Sequence, residues 1–330
     1  MSSARLKRLL LMIKVGIIGC DNMRAAELVR VLINHPDVEL KWVTGSAPVG
    51  MRLDSIVSGL VGECDLRTGP QGALDDVDLI YLCGKRVEAV EWLSATDLPE
   101  GLSVIDMSGI HNLDYGDSAA SWKYGLSEMQ RRVLVHDTRL VTVPGDVATA
   151  SLLALMPMAR NLLLNSPIEL KVALGTSALT NEGKTVDGLD TTAWADDQQQ
   201  EIVCALLQCQ SSFDQPVTLT VTPLAERRTL TVDARFKCGI DAEMVHQLYE
   251  QYYDDHNFVF MVDRPAATAE VENTNKCLIS IDKDDHSGYL SIHAVMDVLL
   301  KGSAGTAVHA MNLMYGLHER VGLALKGTGC

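Results

Sequence analysis

The chain has 330 residues, of which 47% are apolar, and its formal net charge is -15 with a pI near 5.0. A chain of this length can bury a large core and is expected to divide into two domains. The acidic balance argues against nucleic acid as a partner, because neutralising phosphates requires clustered Lys and Arg. A membrane span is not expected either, since the longest apolar runs, such as Leu9–Ile13 and Leu152–Met156, are far too short to cross a bilayer.

The N-terminal segment and the cysteines are typical of a cytoplasmic protein. Met1–Met12 is basic and then apolar, but it lacks the longer apolar core and the small-residue cleavage site of a signal peptide. The eight cysteines show no paired spacing, and neither they nor the histidines follow a zinc-ligand pattern. We therefore expect a cytoplasmic location, mostly reduced cysteines and no metal site.

The first half of the chain alternates apolar strands with amphipathic helices. Met23–Ile33 carries Leu28, Val31 and Leu32 at helical spacing. Strands are predicted at Ile13–Ile18, Val38–Val43, Leu79–Cys83, Leu102–Met107 and Leu140–Val143. Alternating units of this kind favour an α/β fold with a doubly wound, Rossmann-type parallel sheet that binds a dinucleotide.

The second half is richer in strands, and Ala242–Tyr253 is its one sizeable predicted helix before the last helix at about Val298–Tyr315. The polar stretch Thr185–Gln200 predicts a loop or lid. The predicted strands are Ile168–Leu174, Val217–Val221, Leu230–Phe236, Phe258–Met261, Cys277–Ile281 and Tyr289–His293. This pattern favours an α+β domain with a largely antiparallel sheet over residues 148–297, with residues 1–147 and 298–330 forming the dinucleotide-binding domain.

Several collinear blocks carry a family resemblance over nearly the whole chain. They are Lys14–Gly19, Ala26–Arg30, Val104–Ser108, Tyr124–Glu128, Thr274–Cys277, Lys301–Val308 and Met311–Leu317. Together they resemble N-acetyl-γ-glutamyl-phosphate reductase, the NADPH-dependent enzyme of arginine biosynthesis. The resemblance implies a semialdehyde dehydrogenase-like fold, a small-molecule ligand, and a homo-oligomer (dimer or tetramer) formed through the strand-rich domain.

The segment Val143–Ala150 forms a predicted strand–turn–helix elbow, in which the strand Leu140–Val143 runs into Pro-Gly and an apolar helix is predicted over Ser151–Leu164. In the family, Pro-Gly at this elbow is followed by a catalytic cysteine whose thiolate attacks the acyl phosphate and forms a thioester that accepts hydride. A helix N-terminus suits this step because it lowers a thiol's pKa. Here the residue is Asp146, and a carboxylate is a far weaker nucleophile. We favour a role as helix N-cap, which contributes about 1 kcal/mol, over a catalytic role for Asp146.

Other positions that match the family's catalytic machinery also differ. The family's general acid/base histidine lies in a His-Arg-His segment before Pro-Glu-Ile, and the stretch Asp196–Ile202 corresponds to it here. Gln198 falls where that histidine is expected, and an amide does not shuttle protons. Gly175–Glu182 matches a glycine-rich loop near the nicotinamide but has lost most of those glycines. Asn112 stands where an arginine suited to an anionic substrate is expected.

The cofactor loop is also altered. Gly19 keeps the first glycine of the family's pattern, but Asn22 and Ala25 replace the second and third. Asp21 would repel a pyrophosphate, and Arg24 would attract it. Ser46 and Arg52, after the second strand, are candidates for a 2′-phosphate. The full set of candidate cofactor residues is Gly19, Cys20, Asp21, Asn22, Met23, Ser46, Arg52, Ser108 and Gly302. NADP binding is predicted to be weakened or lost.

Three hypotheses for function follow. The leading one is a divergent relative of the reductase that is impaired in catalysis and acts as a binding, regulatory or partner subunit. The second is an enzyme that uses the same pocket for a reaction without a thioester, with Asp146 as a base or an orienting group. The third is an ordinary NADP-dependent reductase. Cys20 and Cys83 could in principle replace the missing thiol, but buried, unreactive cysteines are the favoured interpretation.

Overall fold

The computed structural model describes residues 12–114, 121–136, 138–175, 191–224, 226 and 228–327. It contains two compact units. The first comprises Met1–Val143 and Ala307–Leu323, and the second comprises Pro144–Thr306 and Ala324–Cys330. The domain boundaries predicted after residue 147 and before residue 298 stay a prediction, since the units divide a few residues away from each of them.

The first unit contains a sheet of six strands in the order β2-β1-β3-β4-β6-β5, and every neighbouring pair is parallel. The strands are β1 (Ile13–Ile18), β2 (Val38–Thr44), β3 (Leu79–Leu82), β4 (Ser103–Asp106), β5 (Lys123–Tyr124) and β6 (Leu140–Thr142). Its helices are α1 (Met23–Leu32), α2 (Leu53–Ile56), α3 (Arg86–Ala95) and α4 (Ser127–Val135). All residues of β3 and β4 are buried, as expected of central parallel strands. The predicted parallel sheet is confirmed.

The second unit contains a mixed sheet in the order β10-β11-β12-β9-β7-β8. Its strands are β7 (Ile168–Gly175), β8 (Val217–Leu224), β9 (Thr229–Lys237), β10 (Val259–Met261), β11 (Cys277–Asp284) and β12 (Tyr289–Asp297). The pairs β7–β8 and β10–β11 are parallel, whereas β7–β9, β9–β12 and β11–β12 are antiparallel. Its helices are α5 (Asp146–Arg160), α6 (Thr191–Cys209) and α7 (Ala242–Tyr253).

The last long helix is irregular. A π-helical turn over Leu300–Ala304 precedes α8 (Gly305–Met314), and the Oγ1 of Thr306 donates a hydrogen bond of 2.6 Å to the carbonyl of Lys301. The predicted single helix over Val298–Tyr315 is therefore correct in place but not in regularity. Wide turns of this kind are rare and are often found at functional sites.

Helix α5 is the buried centre of the second unit. Each of its residues except the last, Arg160, is buried. The hydroxyls of Tyr249 and Tyr253 on α7 donate hydrogen bonds to the carbonyls of Ala154 and Leu153 on α5. These bonds hold the middle of α5 against α7 by polar as well as apolar contacts.

Two of the predicted elements were wrong. Helix α6 begins at Thr191, so residues 191–200 are helical and not part of a loop, while residues 185–190 lie outside the described residues. The polar start of α6 hid the helix, although Ile202, Ala205 and Leu206 form one buried face at helical spacing. Helix α5 begins at Asp146 and not at Ser151, and it ends before Leu162, whose φ of 58° stops the helix.

Within the described ranges, no helix is long and apolar enough to cross a bilayer. In the same residues, no three His, Cys, Asp or Glu side chains are grouped so that they could hold a metal ion. The cytoplasmic location stays a prediction.

Candidate active site at the elbow and the nucleotide loop

The elbow at the start of α5 presents Asp146 as the first helical residue. Gly145 is the N-cap, and its carbonyl accepts the first helical hydrogen bond from the amide of Thr149 at 2.8 Å. The predicted N-cap role of Asp146 is therefore wrong by one position. Its carboxylate nevertheless accepts a bond of 2.8 Å from the amide of Val147, and the residue is only 2% exposed. An anionic side chain in the first turn is stabilised by the helix dipole.

Helix α6 brings two more acceptors to the same elbow. Oε1 of Gln198 accepts from the amide of Ala148 at 3.3 Å, and Oε1 of Glu201 accepts from the amide of Gly145 at 2.9 Å. Gln198 and Glu201 are both buried and lie one turn apart, on the same face of α6. The two predicted catalytic positions, Asp146 and Gln198, therefore meet at the N-terminus of α5.

The N-cap glycine packs closely against the end of the Gln198 side chain. A Cβ added to Gly145 would lie 2.5 Å from Oε1 of Gln198, so a larger residue there would displace that amide. Sequence reasoning did not single out Glu201, although Glu201-Ile202 was the part of that stretch that kept the family's pattern. The preserved dipeptide was the signal that could have found it.

Gly302, predicted as a cofactor residue, lies against the elbow in the π-helical turn. A Cβ on Gly302 would be 3.1 Å from Cβ of Asp146. The preceding Lys301 is fully buried, with Nζ 5.9 Å from the ring centre of Phe258. Gly302 therefore lies beside Asp146, within the second unit.

Asn275, in the family block Thr274–Cys277, was not predicted as a site residue. It is 1% exposed, and neither polar atom of its side chain has a hydrogen-bond partner in the described part of the chain. A Cβ on Gly305 would lie 2.2 Å from its Oδ1. Buried amides are normally hydrogen-bonded, so Asn275 has donor and acceptor capacity available beside this turn.

The nucleotide loop of the first unit begins with Gly19, whose φ is 81°. A Cβ there would lie 2.4 Å from the backbone of Gly84, so only glycine fits. Asn22 is the N-cap of α1: its Oδ1 accepts from the amide of Ala25 at 2.9 Å, and its Nδ2 donates to the carbonyl of Cys83 at 2.6 Å. The backbone of Asn22 is extended, with φ of -130°, so this position does not need the left-handed conformation that favours glycine.

The two residues predicted to meet a 2′-phosphate are bound by carboxylates, Ser46 through its backbone amide and Arg52 through its side chain. The amide of Ser46 donates to both oxygens of Asp21, at 2.8 and 2.7 Å. The guanidinium of Arg52 pairs with Asp54 through Nε and Nη2 and with Asp65 through Nη1. This pairing lowers the pKa of Asp54 and raises that of Arg52. Met23 is the first residue of α1 and is partly buried.

Comparison with known proteins identifies the family. A model described as the NAD binding domain of semialdehyde dehydrogenase matches residues 14–136, and one described as the dimerisation domain matches residues 147–297. N-acetyl-gamma-glutamyl-phosphate reductases from Phocaeicola vulgatus and Bacteroides thetaiotaomicron are 34% and 35% identical to the chain over 326 residues, covering 96% of this chain and 99% of each relative. The chain belongs to the N-acetyl-gamma-glutamyl-phosphate reductase family.

Solved structures support the fold alone. Aspartate semialdehyde dehydrogenase II from Vibrio cholerae, in complex with ASA, matches with a TM-score of 0.70 at 14% identity, covering 92% of this chain and 98% of that chain. The enzyme from Candida albicans, solved with NADP, matches with a TM-score of 0.68 at 10% identity, covering 92% and 98%. The predicted family, the semialdehyde dehydrogenase fold and an NAD-binding domain are thus confirmed. The catalytic and cofactor assignments to single residues stay predictions.

The two cysteines considered as replacements for the family's thiol are poorly suited to the task. Burial, together with the charge of Asp21, raises the pKa of Cys20 to about 11. Burial also raises the pKa of Cys83, whose Sγ lies 3.7 Å from Sδ of Met107. A nucleophilic thiol in this family needs a lowered pKa, so both residues behave as buried apolar cysteines.

Ser108 and Asn112 are held by internal hydrogen bonds of the first unit. Oγ of Ser108 donates to the buried Asp106 at 2.5 Å, and Nδ1 of His111 lies 3.2 Å from the other oxygen of that carboxylate. Asn112 is buried, and its Oδ1 accepts from Oγ1 of Thr142 at 2.7 Å. A neutral packed amide therefore stands where the family resemblance led us to expect a cation. Of the altered loop Gly175–Glu182, only Gly175 lies within the described residues.

Proposed function

We propose that this chain is a divergent member of the N-acetyl-gamma-glutamyl-phosphate reductase family that has lost acyl-phosphate reduction and acts by binding, as a regulatory or partner subunit. The observation that carries the proposal is the buried carboxylate of Asp146 at the position of the family's nucleophile. Attack by a carboxylate on an acyl phosphate would give a mixed anhydride. The thioester that accepts hydride in the family's reaction cannot form there.

The surroundings of Asp146 support the same conclusion. Gln198 lies beside the elbow, and its side-chain oxygen accepts a hydrogen bond from the backbone amide of Ala148. A carboxamide side chain cannot act as general acid or base. The amides of Gly145, Val147 and Ala148 all donate to side chains of the chain itself. Backbone donors at a helix N-terminus would otherwise be available to an anion. An incoming acyl phosphate would have to displace acceptors that include two carboxylates.

The decisive experiment is an acyl-phosphate reductase assay with both NADPH and NADH. We expect no turnover from the wild-type chain above a heat-denatured control. Wild-type turnover that disappears in a folded Asp146→Ala variant would contradict the proposal. The double variant Asp146→Cys/Gln198→His serves as the matched comparison: turnover gained only in this variant assigns the loss to these two positions.

A homo-oligomer is part of the proposal. Its support is the match of residues 147–297 to a dimerisation domain. Light scattering coupled to size-exclusion chromatography should give the mass of a dimer or a tetramer at micromolar concentration. A monomer at that concentration contradicts this part of the proposal and leaves the absence of reductase activity unaffected.

The second candidate, a repurposed enzyme, is favoured by the survival of a buried polar cluster at the elbow. Asp146, Gln198 and Glu201 remain gathered around one helix N-terminus, and each is at most 5% exposed. A buried carboxylate beside an amide can orient a substrate without forming a covalent bond. A reaction that is lost in Asp146→Asn, with unchanged thermal unfolding and ligand binding, would favour this candidate over a binding role.

A further inference from the structure

We infer that the nucleotide loop of the first unit selects against a 2′-phosphate, so that a dinucleotide bound there is NAD(H) and not NADP(H). The inference depends on the NAD-binding domain and is independent of whether Asp146 has lost the family's chemistry. Three observations carry it: the position of Asp21, the engagement of Ser46, and the pairing of Arg52.

The first observation concerns where Asp21 lies. In Rossmann folds, the adenosine ribose binds beyond the carboxyl end of the second strand, where an acidic residue binds its 2′-hydroxyl or an Arg accepts a 2′-phosphate. Here β2 ends at Thr44 and is followed by Gly45 and Ser46. Asp21 follows β1, yet a Cβ on Gly45 would lie 2.6 Å from its Oδ1. The carboxylate of Asp21 therefore lies at the carboxyl end of β2.

The second observation is that Asp21 already uses the donor that a phosphate needs. Both of its oxygens lie within 2.8 Å of the amide nitrogen of Ser46. The carboxylate is exposed, so it can still accept a hydrogen bond from a ribose hydroxyl. A phosphate at this point would meet a like charge and an occupied donor, whereas a hydroxyl would meet an acceptor.

The third observation is that the nearby cation is neutralised. Arg52 binds Asp54 in a bidentate manner, with Nε–Oδ1 at 3.0 Å and Nη2–Oδ2 at 2.6 Å, and its Nη1 lies 3.2 Å from Asp65. Bidentate pairs of this type are among the stronger hydrogen-bonded contacts of a protein surface. A 2′-phosphate that recruited Arg52 would have to share the guanidinium with two carboxylates and would meet their negative charge.

Arg67, which lies beside Arg52, could instead bind a 2′-phosphate and give a preference for NADP. Arg67 forms an antiparallel bridge with Arg52, is exposed, and donates through Nη1 to the carbonyl of Gly50 at 2.7 Å. If Arg67 bound the 2′-phosphate, NADP would be preferred in spite of Asp21. Arg24, in the first turn of α1, does not discriminate, because it would face the pyrophosphate that NAD and NADP share.

The test is isothermal titration calorimetry of the full chain with NAD⁺ and with NADP⁺, repeated with the reduced forms. We expect NAD⁺ to bind about tenfold more tightly than NADP⁺ at low salt, and the ratio to fall as salt screens the exposed carboxylate. The Asp21→Ser variant should reduce the preference. The Asp54→Asn/Asp65→Asn variant should do the same by releasing Arg52. Asp75→Asn, which removes an exposed carboxylate elsewhere in the unit, should leave the ratio unchanged.

Two results would overturn the inference. One is equal or tighter binding of NADP⁺ to the wild type, and its loss in Arg67→Ala would show which cation binds the phosphate. The other is the absence of binding by either dinucleotide, because a preference requires a site that binds. Tighter binding of NADP⁺ does not bear on the reductase assay, which uses both NADPH and NADH, so the inference can fail while the proposed loss of catalysis stands.

Discussion

The N-termini of helices α1 and α5 differ in the side chains that accept hydrogen bonds from their free backbone amides. Each follows the end of a parallel strand, and each offers backbone donors that an anionic ligand could use. At α1 the cap is the side chain of Asn22, whose oxygen accepts from the amide of Ala25 and which is only partly buried. At α5 three buried side chains, Asp146, Gln198 and Glu201, each take one backbone amide.

The start of α1 is partly exposed and can change its ligand contacts by substitution, whereas the start of α5 is part of the core of the second unit. Groups at the start of α1 are accessible to solvent, so a substitution there changes ligand binding at a modest cost in stability. The acceptors at α5 lie inside the second unit, where a donor left without a partner costs about 1–3 kcal/mol. The proposed loss of catalysis at the elbow would therefore be accompanied by a structural role for Asp146, Gln198 and Glu201 as acceptors for the backbone amides of the helix start.

The largest effect is expected at Glu201, the buried acceptor for the N-cap amide. Replacing Glu201 by Ala should lower the free energy of unfolding by about 2 kcal/mol, because the amide of Gly145 loses a charged partner. Urea titration followed by circular dichroism measures the change. Asp196→Ala, an exposed carboxylate on the same helix, is the control and should stay within about 0.5 kcal/mol of the wild type. Equal effects for the two variants would mean that the elbow is not a structural element.

A smaller loss of stability is expected when Asn22, the cap of α1, is replaced. The Asn22→Ala variant removes the cap of α1 and should cost about 1 kcal/mol. Asn22→Ser keeps an acceptor for the amide of Ala25 but loses the bond to the carbonyl of Cys83, so it should lie between Ala and the wild type. Thermal unfolding of the three proteins gives the order. A loss at Asn22 larger than that at Glu201 would reverse the distinction between the two helix starts.

The sequence predicted the architecture well where local pattern determines structure. Buried parallel strands such as β3 and β4 are continuous apolar runs, and the collinear family blocks fixed the order of the elements. It failed at α6, because residues 196–201 of that helix are all polar and the buried apolar positions at helical spacing start only at Ile202. Apolar periodicity cannot reveal a helix across such a polar run.

The candidate sites were predictable in identity but not in contacts. Asp146 and Gln198 were found by their position in family motifs, and the fold places them together because α6 packs on the start of α5. The contact between Asp21 and Ser46 joins residues from two different loops. No local signal in the sequence specifies which backbone amide a loop carboxylate will reach. Such contacts follow from the pairing of β1 with β2, and hence from the tertiary fold.

The smallest expected effect concerns reactivity, and it contrasts the loop of α1 with the thiol that the family keeps at the start of α5. Burial and the charge of Asp21 raise the pKa of Cys20 to about 11, so about 0.1% of this thiol is ionised at pH 8. In the native protein at pH 8, iodoacetamide should therefore modify the partly buried Cys64 before Cys20 or the buried Cys83. Mass spectrometry of peptides gives the order, and unfolding in urea should remove the difference.

Because the raised pKa of Cys20 favours the protonated thiol in the folded state, this contribution to stability is complete below about pH 9 and is lost as the pH rises towards 11. Fast modification of native Cys20 at pH 8 would instead identify it as an activated thiol, and the loop of α1 would then resemble the start of α5 in the family's active members.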